Sequence, residues 1–220
     1  MARAIFSKTG TAVWISHLDL MRVIQRAFRR CGLLLAHSQG YSPHPILSLA
    51  TPLSVGVSSD YELMDFALAE GSETPPEALP ALLNDKLPEG IRVLECYAEG
   101  RKIRELKWLE AALTLEYDRG VPTGAAEAVE ALFQQDRLVV EKHSKKGPVE
   151  TDLIPMIRTL AVKQTAPTQL RLTATVSAQN PTCNPLLLVS AIEKEFPELA
   201  PDFAGCHRLG FYDEAMKLFR

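Results

Sequence analysis

Four arginines near the start of the chain could bind a polyanion: Arg22, Arg26, Arg29 and Arg30. Their spacing of i, i+4, i+7 and i+8 puts them on one face of an α-helix. A guanidinium group donates charge-assisted hydrogen bonds to phosphate with a bidentate geometry that lysine lacks. The alternative is a solvated face whose charges pair with acidic residues downstream. No acid lies among the four arginines, so the pattern favours a polyanion.

A second group of chemically versatile residues fills the segment from Ser38 to Pro45. Two prolines bias the residues before them toward extended backbone, and a glycine permits a tight turn. Hydroxyl, amide, phenol and imidazole groups are presented together, which suits an unstacked base or a phosphate. The alternative is a surface loop whose side chains satisfy its own backbone. We interpret six residues of the loop as binding residues: Ser38, Gln39, Gly40, Tyr41, Ser42 and His44.

Three histidines flank this helix and loop and could meet in the folded chain: His17, His37 and His44. Such a set could supply an acid–base pair for RNA strand cleavage, although a single histidine more often makes a structural hydrogen bond. The sequence has no C-x-x-C pair, no phosphate loop and no G-x-G-x-x-G segment. We therefore expect neither a cofactor nor a metal ion, and only these histidines are catalytic candidates.

The elements that position these residues follow from hydrophobic spacing and capping signals. Ser16 and Asp19 form a capping box, apolar residues then recur at helical spacing, and Gly32 ends the helix. Before the helix, residues 3–15 predict a strand or a hairpin that turns at Thr9-Gly10. After it, two strands, a helix and a strand are predicted at 46–50, 61–68, 74–87 and 91–97. The order is β-α-β-β-α-β, the ferredoxin-like pattern.

The second half of the chain repeats this order in pattern but not in residue identity. Strands are predicted at 106–117, 138–143, 169–176 and 206–212, helices at 124–134 and 184–192, and an insertion with a short helix near 151–157. His143 and its neighbouring lysines predict a basic strand end. We predict an α+β fold of tandem ferredoxin-like (βαββαβ) repeats with antiparallel sheets, divided into domains 1–100 and 101–220. A single larger mixed sheet is the alternative.

The overall composition is that of an ordinary globular protein, with 46% hydrophobic residues, 23% charged residues and a net charge of −3. The charge is uneven, because residues 1–32 are basic and residues 33–100 are acidic. No apolar run is long enough to cross a membrane, and the first residues lack the features of a secretory signal. Four scattered cysteines form no disulfide framework, which predicts a cytoplasmic protein.

Four motifs stand close together near the start of the chain: Ser16 to Arg22, Arg26 to Gly32, Ser38 to Pro45 and Pro52 to Val57. They resemble a single protein family, the bacterial radical-SAM-associated domain of unknown function, with weaker matches at 152–155 and 184–185. Members of that family occur as free proteins or as the C-terminal part of radical SAM proteins, so the resemblance implies association with such an enzyme. This chain lacks a C-x-x-x-C-x-x-C run. If the chain works with radical SAM chemistry, we therefore expect the enzyme to be a separate polypeptide.

At the level of the fold, the tandem pattern is also similar to the CRISPR RNA-processing endonucleases. Residues 204–210 are a poor match for the glycine-rich loop of those enzymes. The function that we predict is an RNA-binding accessory protein that presents a structured RNA, such as tRNA or rRNA, to the radical SAM enzyme. RNA and that enzyme are the expected partners, and no membrane is expected.

Two alternatives to this function remain open from the sequence. One is a metal-independent RNA endonuclease that uses His17, His37 or His44. The other is a protein-binding adaptor without nucleic acid, in which the acidic stretch 60–99 docks the partner.

Overall fold

The computed structural model describes residues 1–144 and 147–220, which form a mixed α+β architecture with a mostly antiparallel sheet. The chain divides into two compact units. The first contains residues 1–105 together with Phe219 and Arg220, and the second contains residues 106–218. The basic strand end that the sequence predicts at Lys145 and Lys146 lies outside the described residues. No helix in the described part of the chain is long and apolar enough to cross a membrane.

The first unit has the element order that its hydrophobic pattern predicts. Its elements are β1 (Ala2–Lys8), α1 (His17–Arg30), β2 (Leu47–Leu49), β3 (Val57–Phe66), α2 (Leu79–Asn84) and β4 (Ile91–Tyr97). All strand pairs of this unit are antiparallel, and the sheet has the order β4-β1-β3-β2. Short 3-10 helices lie before α1, at Gly10–Trp14, and before α2, at Pro76–Ala78.

The helix that carries the four arginines is α1, and it begins where the sequence predicts. The hydroxyl of Ser16 caps it by accepting a hydrogen bond from the backbone N–H of Asp19 at 3.2 Å. Leu20 and Phe28 are fully buried, and the Phe28 ring lies 5.0 Å from the ring of Phe66 in β3. Burial of this apolar face holds α1 against the sheet and leaves its opposite face in solvent.

The second unit contains one main sheet, a smaller sheet and two helices within the described residues. Its elements are β5 (Trp108–Glu116), α3 (Ala125–Leu132), β6 (Val139–Ser144), β7 (Gly147–Asp152), β8 (Ile157–Ala166), β9 (Gln169–Ser177), α4 (Leu186–Glu195) and β10 (Phe203–Tyr212). The main sheet has the order β10-β5-β9-β8, and β6 pairs only with β7. Leu113, Val129, Leu172 and Ile192 are fully buried between the main sheet and its helices.

The predicted hairpin at Thr9-Gly10 is wrong, because Gly10–Trp14 is a 3-10 helix. The buried ammonium group of Lys8 donates hydrogen bonds to the carbonyl oxygens of Val13 at 3.1 Å and Ile15 at 2.9 Å. These bonds use the backbone oxygens that flank Trp14 and fix the turn into α1. The alternating apolar residues predicted a second strand here. The Lys8 side chain instead forms hydrogen bonds with nearby backbone carbonyls, which stabilises a different local structure.

The predicted strand at 138–143 exists as β6, but it does not occupy the expected place in the main sheet of its unit. The strand beside β9 is β8, which the sequence analysis missed together with β7. β8 is an edge strand, and all ten of its residues are exposed or only partly buried. An exposed edge strand needs little alternation of apolar and polar residues, so the usual sequence signal was weak.

Candidate nucleic-acid interface

The four arginines of α1 are all exposed, and we call them the arginine face: Arg22, Arg26, Arg29 and Arg30. Arg22 donates a hydrogen bond to the carboxylate of Asp19 at 2.8 Å. The other three guanidinium groups form no ion pair with any described residue. Pairing with acidic residues downstream, the alternative left open by the sequence, is therefore absent for these three within the described chain.

Asp19 is the acidic residue of α1; it forms an ion pair with Arg22 and a weaker electrostatic attraction with Arg26. The hydroxyl of Ser16 donates a hydrogen bond to its carboxylate at 2.8 Å. This hydrogen bond and the one from Arg22 hold the pKa of the Asp19 carboxyl below its usual value. The carboxylate is ionised at neutral pH, so the helix is balanced at its start and positively charged along its remaining length.

The loop Ser38–Pro45 is closed at its base by hydrogen bonds. The backbone N–H of Ser38 donates to the carbonyl oxygen of His44 at 2.9 Å, and His37 forms an isolated bridge with Pro45. The Ser38 hydroxyl also lies 2.9 Å from Nδ1 of His44 and accepts a hydrogen bond from the His44 backbone N–H at 3.2 Å. The Ser38 hydroxyl and Nδ1 of His44 are therefore engaged in hydrogen bonds within the loop.

The tip of this loop is exposed to solvent. The ring of Tyr41 is completely exposed, and Gln39 and Ser42 are exposed beside it. Gly40 has a φ angle of +131°, a conformation that L side chains rarely adopt. The base of the loop is closed by hydrogen bonds, and the exposed phenol ring at its tip offers a flat surface on which a base can stack.

One cavity joins α1 to the base of the loop. Its volume is about 260 Å³, and its lining includes Gln25 and Arg29 from α1 and His37 and Pro45 from the base of the loop. The arginine face and the loop are therefore neighbouring parts of one surface of the first unit. This meeting of two segments places a guanidinium group beside a cavity that excludes part of the solvent.

The three histidines do not form a single cluster. His17 and Arg29 stand twelve positions apart on α1 (29 minus 17), which is about 18 Å along the helix axis. Arg29 shares the cavity with His37, so His17 is distant from both. Nδ1 of His44 is hydrogen-bonded to the hydroxyl of Ser38 at the base of the loop. Within the described residues, no group of three or more His, Cys, Asp or Glu side chains could hold a metal ion.

Five residues that line the cavity were not predicted from the sequence as site residues: Gln25, Leu34, Leu35, Pro45 and Ala69. Gln25 lies three positions after Arg22 and four before Arg29, so helical spacing alone could have placed it on the arginine face. Leu34 is 65% exposed and has no local signal. Leu34 can be assigned to the cavity only from the folded structure, in which the segment that follows β3 returns beside it.

Residues 2–185 match the family described as an uncharacterized protein conserved in bacteria, DUF2344. The chain belongs to this family. The matched range contains the arginine face, the loop and the cavity, and a bacterial domain of unknown function is the class of family that the motifs resemble. No curated protein matches this DUF2344 chain.

Solved structures also resemble this DUF2344 protein at low sequence identity. A chain of a Cbf5–Nop10–Gar1 complex has a TM-score of 0.48 at 11% identity, with 96% of this chain and 50% of that chain covered. A chain of the archaeal box H/ACA sRNP Nop10–Cbf5 complex has a TM-score of 0.44 at 10% identity, with 93% and 46% covered. An unknown protein from Galdieria sulphuraria has a TM-score of 0.26 at 12% identity, with 94% and 95% covered.

The DUF2344 chain spans about half the length of the first two of these structures. All three TM-scores are below 0.5, so these likenesses carry no argument about function.

Proposed function

We propose that this DUF2344 protein binds RNA through the arginine face and the loop Ser38–Pro45. It presents a structured RNA, such as tRNA or rRNA, to a separate radical SAM enzyme. The observation that carries the RNA part is the cavity at which α1 meets the base of the loop. Looped and single-stranded RNA offers phosphates for guanidinium groups and unstacked bases for an exposed ring such as Tyr41.

The distribution of charge supports this proposal better than the net charge does. The whole chain is slightly acidic, so it lacks the uniform positive coat that would bind any polyanion. The arginine face is a local exception, because Arg26, Arg29 and Arg30 have no ion pair in the described chain. A local field of this kind favours an RNA that also fits the neighbouring loop.

The first experiment is filter binding of total cellular RNA to the purified protein at two salt concentrations, with Arg26→Ala/Arg29→Ala measured in parallel. Binding to phosphates releases counterions, so affinity of the wild type falls as salt rises. We expect the double variant to bind much more weakly, with a salt dependence that is reduced by about one unit for each lost phosphate contact.

The matched control for that experiment is Arg119→Ala/Arg137→Ala. Both of these arginines are exposed residues of the second unit, so the control removes the same charge from a different surface. It should bind RNA like the wild type. Equal losses in the two double variants, or binding that is insensitive to salt, would contradict an RNA site on the arginine face.

The partner enzyme in this proposal comes from the family resemblance, and it needs its own test. Affinity capture of the tagged protein from bacterial cells, with and without ribonuclease, should recover a radical SAM protein in both cases. Recovery of that protein from the wild type and the arginine variant alike, with no nucleic acid in either, would instead support the adaptor that docks through the acidic stretch 60–99.

RNA cleavage is not part of the proposal. His17 lies about 18 Å along α1 from Arg29, whose cavity contains His37, so His17 does not form an acid–base pair with His37. His44 in turn is engaged by Ser38. An RNA-binding accessory role needs no catalytic histidine, whereas an endonuclease would need one.

The fold and the domain division that accompany this function are proposals as well. Strand orders of β4-β1-β3-β2 in the first unit and β10-β5-β9-β8 in the second support tandem ferredoxin-like repeats, with β6 and β7 as an insertion. The likeness to CRISPR RNA-processing endonucleases rests on that pattern alone. The two compact units support a boundary near the proposed one between residues 100 and 101. Four free cysteines in the described chain support a reducing, cytoplasmic location.

A further inference from the structure

The cavity between α1 and the base of the loop has the composition of a small-ligand site. Apolar walls come from Leu34, Leu35 and Pro45, and polar groups come from Gln25, Arg29 and His37. No carboxylate lines it, and Arg29 contributes a permanent positive charge. A ligand that matches this lining has a flat apolar face, a polar edge and an anionic group.

The walls of the cavity are fixed by backbone hydrogen bonds before any ligand binds. The segment after α1 returns to the end of β3, where the N–H of Ala36 donates to the carbonyl oxygen of Ala67 at 2.8 Å. The N–H of Ala69 donates to the carbonyl oxygen of Leu34 at 2.8 Å. A preformed site of this kind pays little ordering cost when a ligand binds.

We propose that this cavity takes the base of one unstacked nucleotide, whose phosphate binds Arg29. The leucine and proline walls contact the flat faces of the base. The amide of Gln25 offers both a donor and an acceptor, so it can pair with the polar edge of a base. This inference rests on the proposed RNA-binding function and names the group that the RNA inserts.

The direct test is calorimetric titration of the full chain with the four ribonucleoside 5′-monophosphates, AMP, GMP, CMP and UMP, and with ribose 5-phosphate. The sugar phosphate keeps the anionic group and lacks the base. We expect at least one nucleotide to bind about tenfold more tightly than ribose 5-phosphate, because base contacts of this kind contribute substantially to affinity. Equal affinity for the sugar phosphate and all four nucleotides would overturn the proposal.

Two exposed leucines provide a matched pair of variants. Leu34 is 65% exposed and lines the cavity, whereas Leu18 is 67% exposed and lies outside its lining. Leu34→Ala should reduce the preference for the nucleotide over ribose 5-phosphate about threefold or more, and Leu18→Ala should leave it unchanged. Equal effects of the two substitutions would count against the cavity.

A filling variant, Ala69→Phe, tests the cavity without removing any charge. Ala69 is partly buried and uses its backbone for the bond to Leu34, so a larger side chain can enter the space. We expect its nucleotide affinity to fall to that for ribose 5-phosphate. Circular dichroism and thermal melting verify that Ala69→Phe is folded. If it does not fold, the effect of Leu34→Ala on nucleotide affinity tests the cavity instead.

Measuring RNA binding in the same variants separates this inference from the proposed function. RNA binding that needs Arg26 but tolerates Ala69→Phe without loss would overturn the base site and leave RNA binding intact. Nucleotide binding that Ala69→Phe abolishes, in a protein with no affinity for RNA, would support the base site and overturn the proposed function.

Discussion

Helices α1 and α3 pack in the same way in their respective units but carry opposite charges on their exposed faces. Each follows the first strand of its unit and buries one apolar face against its sheet. The exposed side of α1 carries the arginine face, whereas Glu127 and Glu130 are exposed on α3. Helix α3 packs against its sheet with acidic residues on its exposed face, so a helix in this position does not need exposed arginines in order to pack. The arginines of α1 are therefore available to bind a ligand.

The two helices also begin differently. The side chain of Ser16 caps α1, whereas the residue before α3 is Gly124, which has a φ angle of +77° and no side chain to form a cap. A side-chain cap fixes the start of α1 by satisfying a backbone N–H that the helix itself leaves free. The helix that presents positive charge is thus the one whose first turn is fixed by a side-chain cap.

Truncating the buried faces should have the largest effect and should affect both helices. Phe28 and Leu132 are both fully buried. We expect Phe28→Ala to lower the free energy of unfolding by about 3–5 kcal/mol and Leu132→Ala by about 2–5 kcal/mol. Urea denaturation followed by circular dichroism measures both. A loss below about 1 kcal/mol in either variant would mean that its helix is not held by its apolar face.

Reversing charge on the exposed faces should separate the helices. Arg26→Glu/Arg29→Glu gives α1 an acidic face like that of α3, and we expect RNA affinity to fall about 100-fold at moderate salt. The reciprocal control is Glu127→Arg/Glu130→Arg, which should leave RNA affinity within about threefold of the wild type. If the basic variant of α3 gains as much as the acidic variant of α1 loses, charge alone determines binding and the loop contributes nothing.

Removing the exposed ring of the loop should have a smaller effect of a different kind. We expect Tyr41→Ala to weaken RNA binding about tenfold without changing its salt dependence, because base stacking involves no phosphate. Phe203 is an exposed aromatic residue of the second unit, so Phe203→Ala is the matched control. A change in the salt dependence for Tyr41→Ala would show that the loop acts on phosphates instead.

Removing the cap should change the stability of α1 modestly. Ser16→Ala removes the acceptor for the Asp19 N–H, and we expect the free energy of unfolding to fall by about 1 kcal/mol. Ser16→Thr keeps a hydroxyl that can both accept from the Asp19 N–H and donate to the Asp19 carboxylate, so it should recover most of the loss. Equal stability of the wild type and Ser16→Ala in urea denaturation would show that the cap contributes nothing to α1.

The smallest effect should come from the titration of Asp19. Its pKa in the folded protein lies below the ordinary value of 3.8, chiefly because of the hydrogen bond from Ser16. The stabilisation by its carboxylate is therefore complete above about pH 5 and disappears as the pH falls through the folded pKa. The stability difference between the wild type and Asp19→Asn should follow this course. A difference that is constant from pH 6 to pH 2 would contradict the assignment.

The sequence by itself determined the parts of this protein that depend on neighbours along the chain. The start of α1, its buried stripe and its arginine face follow from a cap and a period of 3.6 residues, and each of these is local. Eight of the ten strands in the described chain, all except β7 and β8, likewise had local signals. Local signals failed where one was weak, as in the exposed edge strand β8, or where Lys8 replaced strand pairing by bonds to nearby carbonyls.

Only the tertiary structure decided which residues meet. The cavity forms because Ala36 and Ala69 pair with backbone groups that lie about thirty positions away in sequence, at the cost of closing a long loop. The same pairing brings His37 beside Arg29 and leaves His17 at the far end of α1. Spacing along a chain does not specify hydrogen bonds between distant segments. The arginines were therefore predictable as a face, whereas the cavity that Arg29 shares with the base of the loop was not.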